Sequence, residues 1–167
     1  MSDKKLYMVL GAVVAVLALV ALALRLFAGA AAEKTVTLYY VNPNVFKLEQ
    51  RRVVIKDEVD VRAALELLFK GTEEPGLENL FPDGMTVLDV SIDEEEEELV
   101  VDLSSNFFSV NYGIDVNYLL VMSVVYTASD ASGMERVRLL FDGQVQEFFH
   151  NGVYMADAFK LDPDVLK

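Results

Sequence analysis

The stretch from Val61 to Phe108 constrains the fold more than any other part of this 167-residue chain. It opens with VRAALELLFKG, in which the apolar residues recur at helical spacing and the final glycine suits a helix C-terminus. A loop at residues 72–84 follows, and then two segments with strand character at residues 86–92 and 99–103. A helix, a loop and a strand pair in this order are typical of a domain that packs helices on a sheet.

Six consecutive acidic residues, at positions 93–98, separate those two strands. We expect them to form the solvated turn of a hairpin. A site for a hard cation is the alternative, because Ca²⁺ binds carboxylate oxygens. The run lacks the interspersed glycine and asparagine of a shaped calcium loop, so we predict no metal site and no cofactor.

Two segments rich in β-branched and aromatic residues precede this stretch, and they predict strands at residues 35–41 and 46–55. We expect the helix that follows them to begin at Asp57, because Asp60 three positions later completes a start like a capping box. The chain therefore enters its first helix from a strand pair.

A second helix is predicted for residues 116–128, with Asp115 as its cap. This segment is apolar on nearly every side, which indicates a helix buried in the centre of the domain. The alternative is that one edge of the helix meets another protein. Tyr118, Met122 and Tyr126, spaced every four residues, would form that edge.

The dipeptide Asp142-Gly143 suits a two-residue type I′ turn, and it predicts a hairpin between residues 136–141 and 144–149. The predicted order is β-β-α-β-β-α-β-β. We therefore predict an α+β fold, a two-layer sandwich in which two helices lie on one face of a mostly antiparallel or mixed sheet. An N-terminal transmembrane helix is expected to precede it.

That helix is predicted from Leu6–Leu24, a run of 19 residues without a charge. At about 1.5 Å per residue it would span about 28 Å, close to the ~30 Å of a bilayer core. Lys4 and Lys5 favour a cytoplasmic N-terminus and an extracytoplasmic remainder. We predict a single-pass protein of the cell membrane, with a cytoplasmic N-terminus at 1–5, a signal-anchor at 6–28 and a linker at 29–34.

A cleaved secretory signal is the alternative for the same segment. Its cleavage site would be Ala28-Gly29-Ala30 or Ala30-Ala31-Ala32, both of which consist of small residues. The apolar region of a signal peptide is usually about 7–15 residues long, shorter than the one here. An uncleaved anchor is the reading we prefer.

The composition excludes several classes of function. The net charge is −13, and such a surface repels nucleic acid, whose binding depends on Lys and Arg contacts to phosphate. The chain has no cysteine, which excludes disulfides, thiol nucleophiles, thiolate metal sites and a lipidated N-terminal cysteine. His150 is the single histidine, and we expect it on the surface.

Asp102 and Ser104 are the strongest candidates for chemistry. They lie two residues apart at a strand end, so their side chains point the same way. They could bind a sugar or peptide, or they could cap the following turn, and we favour the cap. A carboxylate pair for glycoside hydrolysis could include Asp83 or Asp89, but no spacing selects a pair. We therefore predict no catalytic residue and no enzyme.

Most of the chain after the predicted anchor resembles the GerMN domain family. The resemblance runs from residue 35 to residue 149 and rests on the order of TVTLYYV, VRAALELLFKG, FPDGMTVLDVSI, LVVDLSSNF and VRLLFDGQ. This module occurs in the sporulation and germination protein GerM and in lipoproteins of the LpqB type. The resemblance implies an extracytoplasmic domain associated with envelope remodelling and with the assembly of membrane-spanning complexes.

We therefore expect residues 35–150 to form a GerMN-like interaction module, followed by a C-terminal tail at 151–167. The expected partners are envelope or membrane proteins, or a second copy of the chain. Binding of peptidoglycan fragments is the alternative function. The surface expected to bind a ligand or partner combines loop anchors, polar turn residues and aromatic rings: Leu77, Phe81, Asp83, Asp102, Ser104, Phe107, Phe108 and Tyr112.

Overall fold

The structure is a computed structural model that describes residue 17 and residues 34–55, 60–150 and 152–167. Residues 34–167 form one compact unit. Its strands are β1 (Lys34–Asn42), β2 (Lys47–Ile55), β3 (Val87–Asp93), β4 (Glu98–Leu103), β5 (Arg136–Phe141), β6 (Phe148–Phe149), β7 (Val153–Tyr154) and β8 (Phe159–Lys160). Its helices are α1 (Val61–Lys70), α2 (Ile114–Ser132) and the short 3₁₀ helices Ser105–Ser109 and Pro163–Val165.

Helix α1 begins one turn later than the sequence predicts. Asp60 is its N-cap, and the Asp60 carboxylate accepts a hydrogen bond of 2.7 Å from the backbone N–H of Ala63. Asp57, the predicted first residue, lies outside the described residues. The helix ends at Gly71 as predicted. Gly71 has a φ of 78°, and a Cβ there would lie 2.6 Å from the side chain of Asn79.

Strand β1 is covered on both of its edges. It pairs antiparallel with β2 on one side, and helix α2 covers the other side. The backbone N–H of Tyr39 donates to Oγ1 of Thr127 over 3.2 Å, and the Ser123 hydroxyl donates to the carbonyl of Tyr39. Because both hydroxyls are buried, they satisfy backbone groups that water cannot reach.

The largest sheet has the strand order β3-β4-β5-β8. β4 and β5 run parallel, while the β3–β4 and β5–β8 pairs are antiparallel. One face of this sheet is apolar and buried, and it carries Leu99, Val101 and Leu103 of β4 beside Val137 and Leu139 of β5. The predicted α+β class with mixed sheets and two helices is therefore found. The described strands divide over three sheets, however, instead of forming one.

Helix α2 lies in the centre of the domain, as its apolar sequence predicts, with residues 119–129 buried. Met122 and Tyr126 belong to this buried set, so the tyrosine and methionine stripe is interior. The Tyr118 hydroxyl donates to Oδ2 of Asp162 over 3.0 Å, and burial together with this carboxylate raises the pKa of Tyr118 to about 12. The predicted cap is wrong: the N-cap is Gly113, and Asp115 lies in the first turn.

The predicted hairpin after β5 is only a turn. Asp142 and Gly143 have φ values of 50° and 76°, as a type I′ turn requires, and Phe141 and Gln144 exchange two backbone hydrogen bonds. Pairing with the segment after the turn stops there, and β8 pairs instead with Arg136 and Val137 at the other end of β5. Phe148–Phe149 pairs instead with Val153–Tyr154, and β8 comes from the predicted tail.

No helix within the described ranges is long and apolar enough to cross a membrane. The predicted signal-anchor, residues 6–28, lies outside those ranges except for residue 17.

Candidate functional site

Most of the apolar residues predicted for a binding surface are core residues. Leu77, Phe81 and Phe107 are buried. The ring of Phe107 lies 4.9 Å from the ring of Phe149, and the half-buried ring of Phe108 lies 4.7 Å from that of Phe141. These rings hold the 3₁₀ helix Ser105–Ser109 against β5 and β6, so they do not form an exposed platform.

Tyr112 differs from the other predicted aromatic residues because it is exposed. Its hydroxyl donates to the carbonyl of Leu80 over 3.2 Å, and its backbone N–H donates to Oδ1 of Asn117 over 3.0 Å. Tyr112 therefore links the loop at residues 72–84 to the start of helix α2.

Ser104 joins two loops. Its Oγ accepts a hydrogen bond of 3.0 Å from the backbone N–H of Thr86 and lies 2.5 Å from Oδ1 of Asn106. The Asn106 amide donates in turn to the carbonyl of Asp83 over 3.0 Å. The side chain of Ser104 makes no capping hydrogen bond to the 3₁₀ helix that follows it, so the expected cap is wrong. The reason is that its Oγ is already occupied by Thr86 across the strand pair.

Asp102 binds a turn that is distant in sequence. Its Oδ1 accepts a hydrogen bond of 2.9 Å from the backbone N–H of Gly143. The neighbouring Asp142 accepts from the N–H of Ser105 over 3.3 Å and donates its own N–H to the carbonyl of Leu103 over 3.0 Å. The two motifs VDLS and DG therefore meet in space, and their carboxylates hold two chain reversals together.

The acidic run at residues 93–98 divides into two environments. Asp93 accepts hydrogen bonds from the N–H groups of Glu95 and Glu96, which closes the hairpin turn, and residues 93–97 are exposed as predicted. Glu98 is an exception that the sequence analysis missed. It is 0% exposed, and its carboxylate binds the guanidinium groups of Arg136 and Arg138 over 2.6 and 2.7 Å.

The alternating charge pattern R-V-R in β5 is the sequence signal for this pair of arginines, because residues two apart share one face of a strand. The hydrogen bond that the Arg138 guanidinium donates to the Glu98 carboxylate raises the pKa of Arg138 above its ordinary value. Within the part of the chain that the structure describes, no group of three or more acidic or histidine side chains could hold a metal ion.

The outer edge of β3 is the exposed surface with the clearest capacity to bind. β3 is the last strand of its sheet, and Leu88 and Ile92 are 45% and 58% exposed. Arg62 donates to the carbonyls of Val87 and Leu88 beside a β-bulge, and so closes the beginning of the edge. From Asp89 to Asp93 no strand pairs with this edge among the described residues.

A groove of about 550 Å³ runs beside this edge. Its apolar lining comes from Val61 at the start of α1, from Val90 and Ile92 of β3, and from Leu99 of β4. This surface was not among the predicted binding residues, although the alternation V-L-D-V-S-I-D has the two-residue period of a half-exposed strand.

A second exposed patch lies on the short β6–β7 hairpin. Phe148 and Tyr154 are 44% and 48% exposed, and their ring centroids are 5.6 Å apart. Ile114 lies against the same hairpin, since a Cβ on Gly152 would be 2.8 Å from its Cγ1. The FF dipeptide gave no means of telling which ring is exposed; Phe149 is buried and Phe148 is not. His150, next to them, is exposed as expected.

Known proteins share this fold. A family model described as "Germane: Sporulation and spore germination" matches residues 37–147. The first GerMN domain of the sporulation protein GerM from Bacillus subtilis superposes with a TM-score of 0.62 at 22% identity, covering 76% of this chain and 97% of that chain.

Two further structures are similar. The tandem GerMN domains of the same Bacillus subtilis protein give a TM-score of 0.64 at 22% identity over 77% of this chain, which spans 46% of the tandem. A putative lipoprotein from Clostridium perfringens gives 0.54 at 18% identity, with 77% of this chain and 87% of that chain covered. No curated protein matches the chain. These matches agree with the family resemblance that the sequence motifs indicate.

Proposed function

We propose that this chain, which belongs to the Germane family of sporulation and spore germination domains, is a protein-interaction module of the cell envelope. In this proposal an N-terminal membrane span, residues 6–28, holds the domain on the extracytoplasmic side of the cell membrane. The domain then contributes to the assembly or remodelling of envelope complexes by binding other envelope proteins.

The observation that carries this proposal is the exposed edge of β3. An edge strand with unpaired N–H and C=O groups is a template for pairing with another chain. Exposed apolar side chains at Leu88 and Ile92, next to an apolar groove, give a partner something to bury.

The surroundings of the candidate catalytic groups also favour binding over catalysis. A serine nucleophile needs an adjacent general base and an oxyanion hole. The hydrogen-bond partners of the Ser104 hydroxyl are Thr86, Asn106 and the sulfur of Met85, and none of them can act as that base. Asp102 is engaged by the N–H of Gly143. We therefore propose a non-enzymatic role.

Cross-linking in native membranes tests this function. The full chain would carry a photoactivatable residue at exposed positions on different sides of the domain, namely 54, 92, 112 and 148. We expect one subset of these positions to capture defined envelope proteins, while the others capture none. Failure of every position to capture any protein would overturn the proposal.

Binding of peptidoglycan fragments remains the second candidate, and the exposed rings of Phe148 and Tyr154 favour it. Planar rings on a surface are suited to stacking against sugars. A titration with muropeptides tests this candidate, with Tyr154→Ala as the variant and Tyr112→Ala as the control. The candidate predicts chemical-shift changes at β6 and β7 that Tyr154→Ala removes, and a titration without any change would exclude it.

A further inference from the structure

We infer that the edge Asp89–Asp93 of β3 binds an extended segment of another protein that carries alternating apolar and basic side chains. The segment would add as a fifth strand to the four-stranded sheet. This inference rests on the proposed interaction function and specifies the chemistry of its partner.

The backbone of the edge is available along the second part of β3, from Asp89 to Asp93. Alternate residues of an edge strand turn their N–H and C=O groups outwards. Arg62 occupies the carbonyls at Val87 and Leu88, and the bulge between Val87 and Asp89 separates this closed beginning from the remainder. Residues 89–93 are therefore the part of β3 on which an added strand could pair.

The two faces of that segment differ in chemistry. Val90 and Ile92 lie opposite Val101 and Leu99, which are core residues, so they share the apolar face of the sheet. On the other face, Asp89 and Asp93 flank the small Ser91. An added strand would place one set of side chains beside the apolar groove and the alternate set beside two carboxylates.

A second copy of this chain does not fit. Antiparallel pairing of two β3 strands about Ser91 would place Asp89 of each copy opposite Asp93 of the other, and parallel pairing would place like residues side by side. Like charges opposite each other destabilise a strand pair, and Asp89 and Asp93 already face Asp102 and Glu98 of β4, so a second copy would add further carboxylates to an acidic face. The same acids that disfavour self-association attract a strand with lysine or arginine at alternate positions.

The chain provides an internal precedent for this chemistry at the outer edge of β2. There the extended C-terminal segment forms a parallel bridge from Leu166 to Leu48, and the N–H of Lys167 donates to the carbonyl of Leu48 over 3.1 Å. Val165 is buried, and Nζ of Lys167 binds the Glu49 carboxylate over 2.7 Å. Within this fold, a segment with a buried valine and a lysine thus covers a strand edge at Leu48 and Glu49.

Binding of labelled synthetic peptides to the purified full chain tests the inference. One peptide alternates valine and lysine. A second peptide has the same composition arranged in two blocks, and a third alternates valine and glutamate. We expect the alternating valine–lysine peptide to bind most tightly and to slow hydrogen exchange of the amides between residues 89 and 93.

Two pairs of matched variants locate the site. Asp89→Lys and Glu95→Lys change the net charge equally, but only Asp89 lies on the edge; Ile92→Lys and Val54→Lys both alter an exposed apolar residue of a strand. We expect Asp89→Lys and Ile92→Lys to weaken binding about fivefold, which is the affinity equivalent of the ~1 kcal/mol that a cross-strand charge or apolar pair contributes at most. The control variants should stay within about twofold.

Three outcomes would overturn the inference. Equal binding of the alternating and block peptides, or equal loss in Asp89→Lys and Glu95→Lys, would show attraction to net charge alone and overturn the inference. A dimer of the full chain in sedimentation that Ile92→Lys dissolves would also overturn it, because the occupant would be a second copy.

The cross-linking experiment separates this inference from the function on which it rests. Capture of envelope proteins at position 112 or 148 but not at position 92 would refute the β3 site and leave the interaction function intact. Capture at no position would refute both. Capture at position 92 that Asp89→Lys abolishes and Glu95→Lys preserves is the expected result.

Discussion

Strands β2 and β3 are each the outer strand of a sheet, but among the described residues another backbone segment bridges only β2. The C-terminal segment covers the beginning of the outer edge of β2 with a backbone bridge at Leu48, a buried Val165 and the ion pair between Lys167 and Glu49. Within the same described part of the chain, the outer edge of β3 has only the guanidinium of Arg62 at its beginning. The chain thus covers the edge of β2 at Glu49 and leaves the edge of β3, with Ile92 exposed, for a different chain.

The outer edge of the β3–β4 hairpin is open, whereas β4 is joined to β5 through the ion pairs of Glu98. Glu98→Gln should therefore have the largest effect on the free energy of unfolding. The neutral side chain would leave the guanidinium groups of Arg136 and Arg138 without their shared carboxylate. We expect a loss of about 3 kcal/mol, at the lower end for a buried pair because both arginines reach solvent. Chemical denaturation measures it.

Glu96→Gln is the control for that variant, since Glu96 lies in the same acidic run but is exposed. It should change the free energy of unfolding by less than about 0.5 kcal/mol. Equal effects of the two variants would mean that Glu98 does not fix the hairpin to β5.

Thr127→Val should have the second largest effect, because it uncovers the edge of β1 that faces helix α2. The N–H of Tyr39 would lose its acceptor at a buried position, which costs about 1–3 kcal/mol. Thr127→Ser keeps the hydroxyl and should retain most of the stability. Thermal unfolding of the two variants compares them, and an equal loss would assign the effect to packing instead of the hydrogen bond.

The C-terminal segment that bridges β2 should detach from it at acidic pH. Hydrogen bonds from Lys167 and Asn42 lower the pKa of Glu49 from 4.5 to about 2. The ionised carboxylate therefore stabilises the docked tail fully above pH 4.5, and this contribution is lost as the pH falls towards 2. We expect the backbone amide of Lys167 to report undocking in that window by NMR.

Glu49→Gln removes the titrating group and provides the matched control. Its tail should be partly undocked at neutral pH and should show no further transition between pH 4.5 and 2. A transition of the same size in both proteins would place the responsible group elsewhere.

Ile92→Lys should have the smallest effect on stability, within about 0.5 kcal/mol, because the side chain is 58% exposed. The same substitution is expected to weaken partner binding about fivefold. A large loss of stability in chemical denaturation would mean that Ile92 belongs to the core, and the contrast between the covered and exposed edges would fail.

Local patterns were sufficient to predict the two α-helices and strands β1 to β5. The helical spacing in VRAALELLFKG, the apolar sequence of α2 and the β-branched residues of β1 correspond to elements that the structure contains. The turn at Asp142-Gly143 was also predictable, since its positive φ values are a local requirement. The pairing partner of the following strand, β6, was not predictable, because pairing depends on contacts with segments distant in sequence.

The candidate site was predictable only in part for the same reason. The sequence does not distinguish an exposed loop phenylalanine from a buried one. Phe107 and Phe108 were therefore predicted for the binding surface, whereas the exposed rings are those of Phe148 and Tyr154. Glu98 looks like its five acidic neighbours, and only the register with β5 places two arginines against it.

The sequence by itself determined the family, the α+β class, the element types and the acidic surface, because these depend on composition and on periodicity along the chain. The tertiary structure decided how the strands divide into sheets, which aromatic rings are buried, and which strand edge stays open. Those properties depend on contacts between residues distant in sequence, such as Asp102 with Gly143 and Leu48 with Leu166. A short stretch of sequence does not specify such contacts.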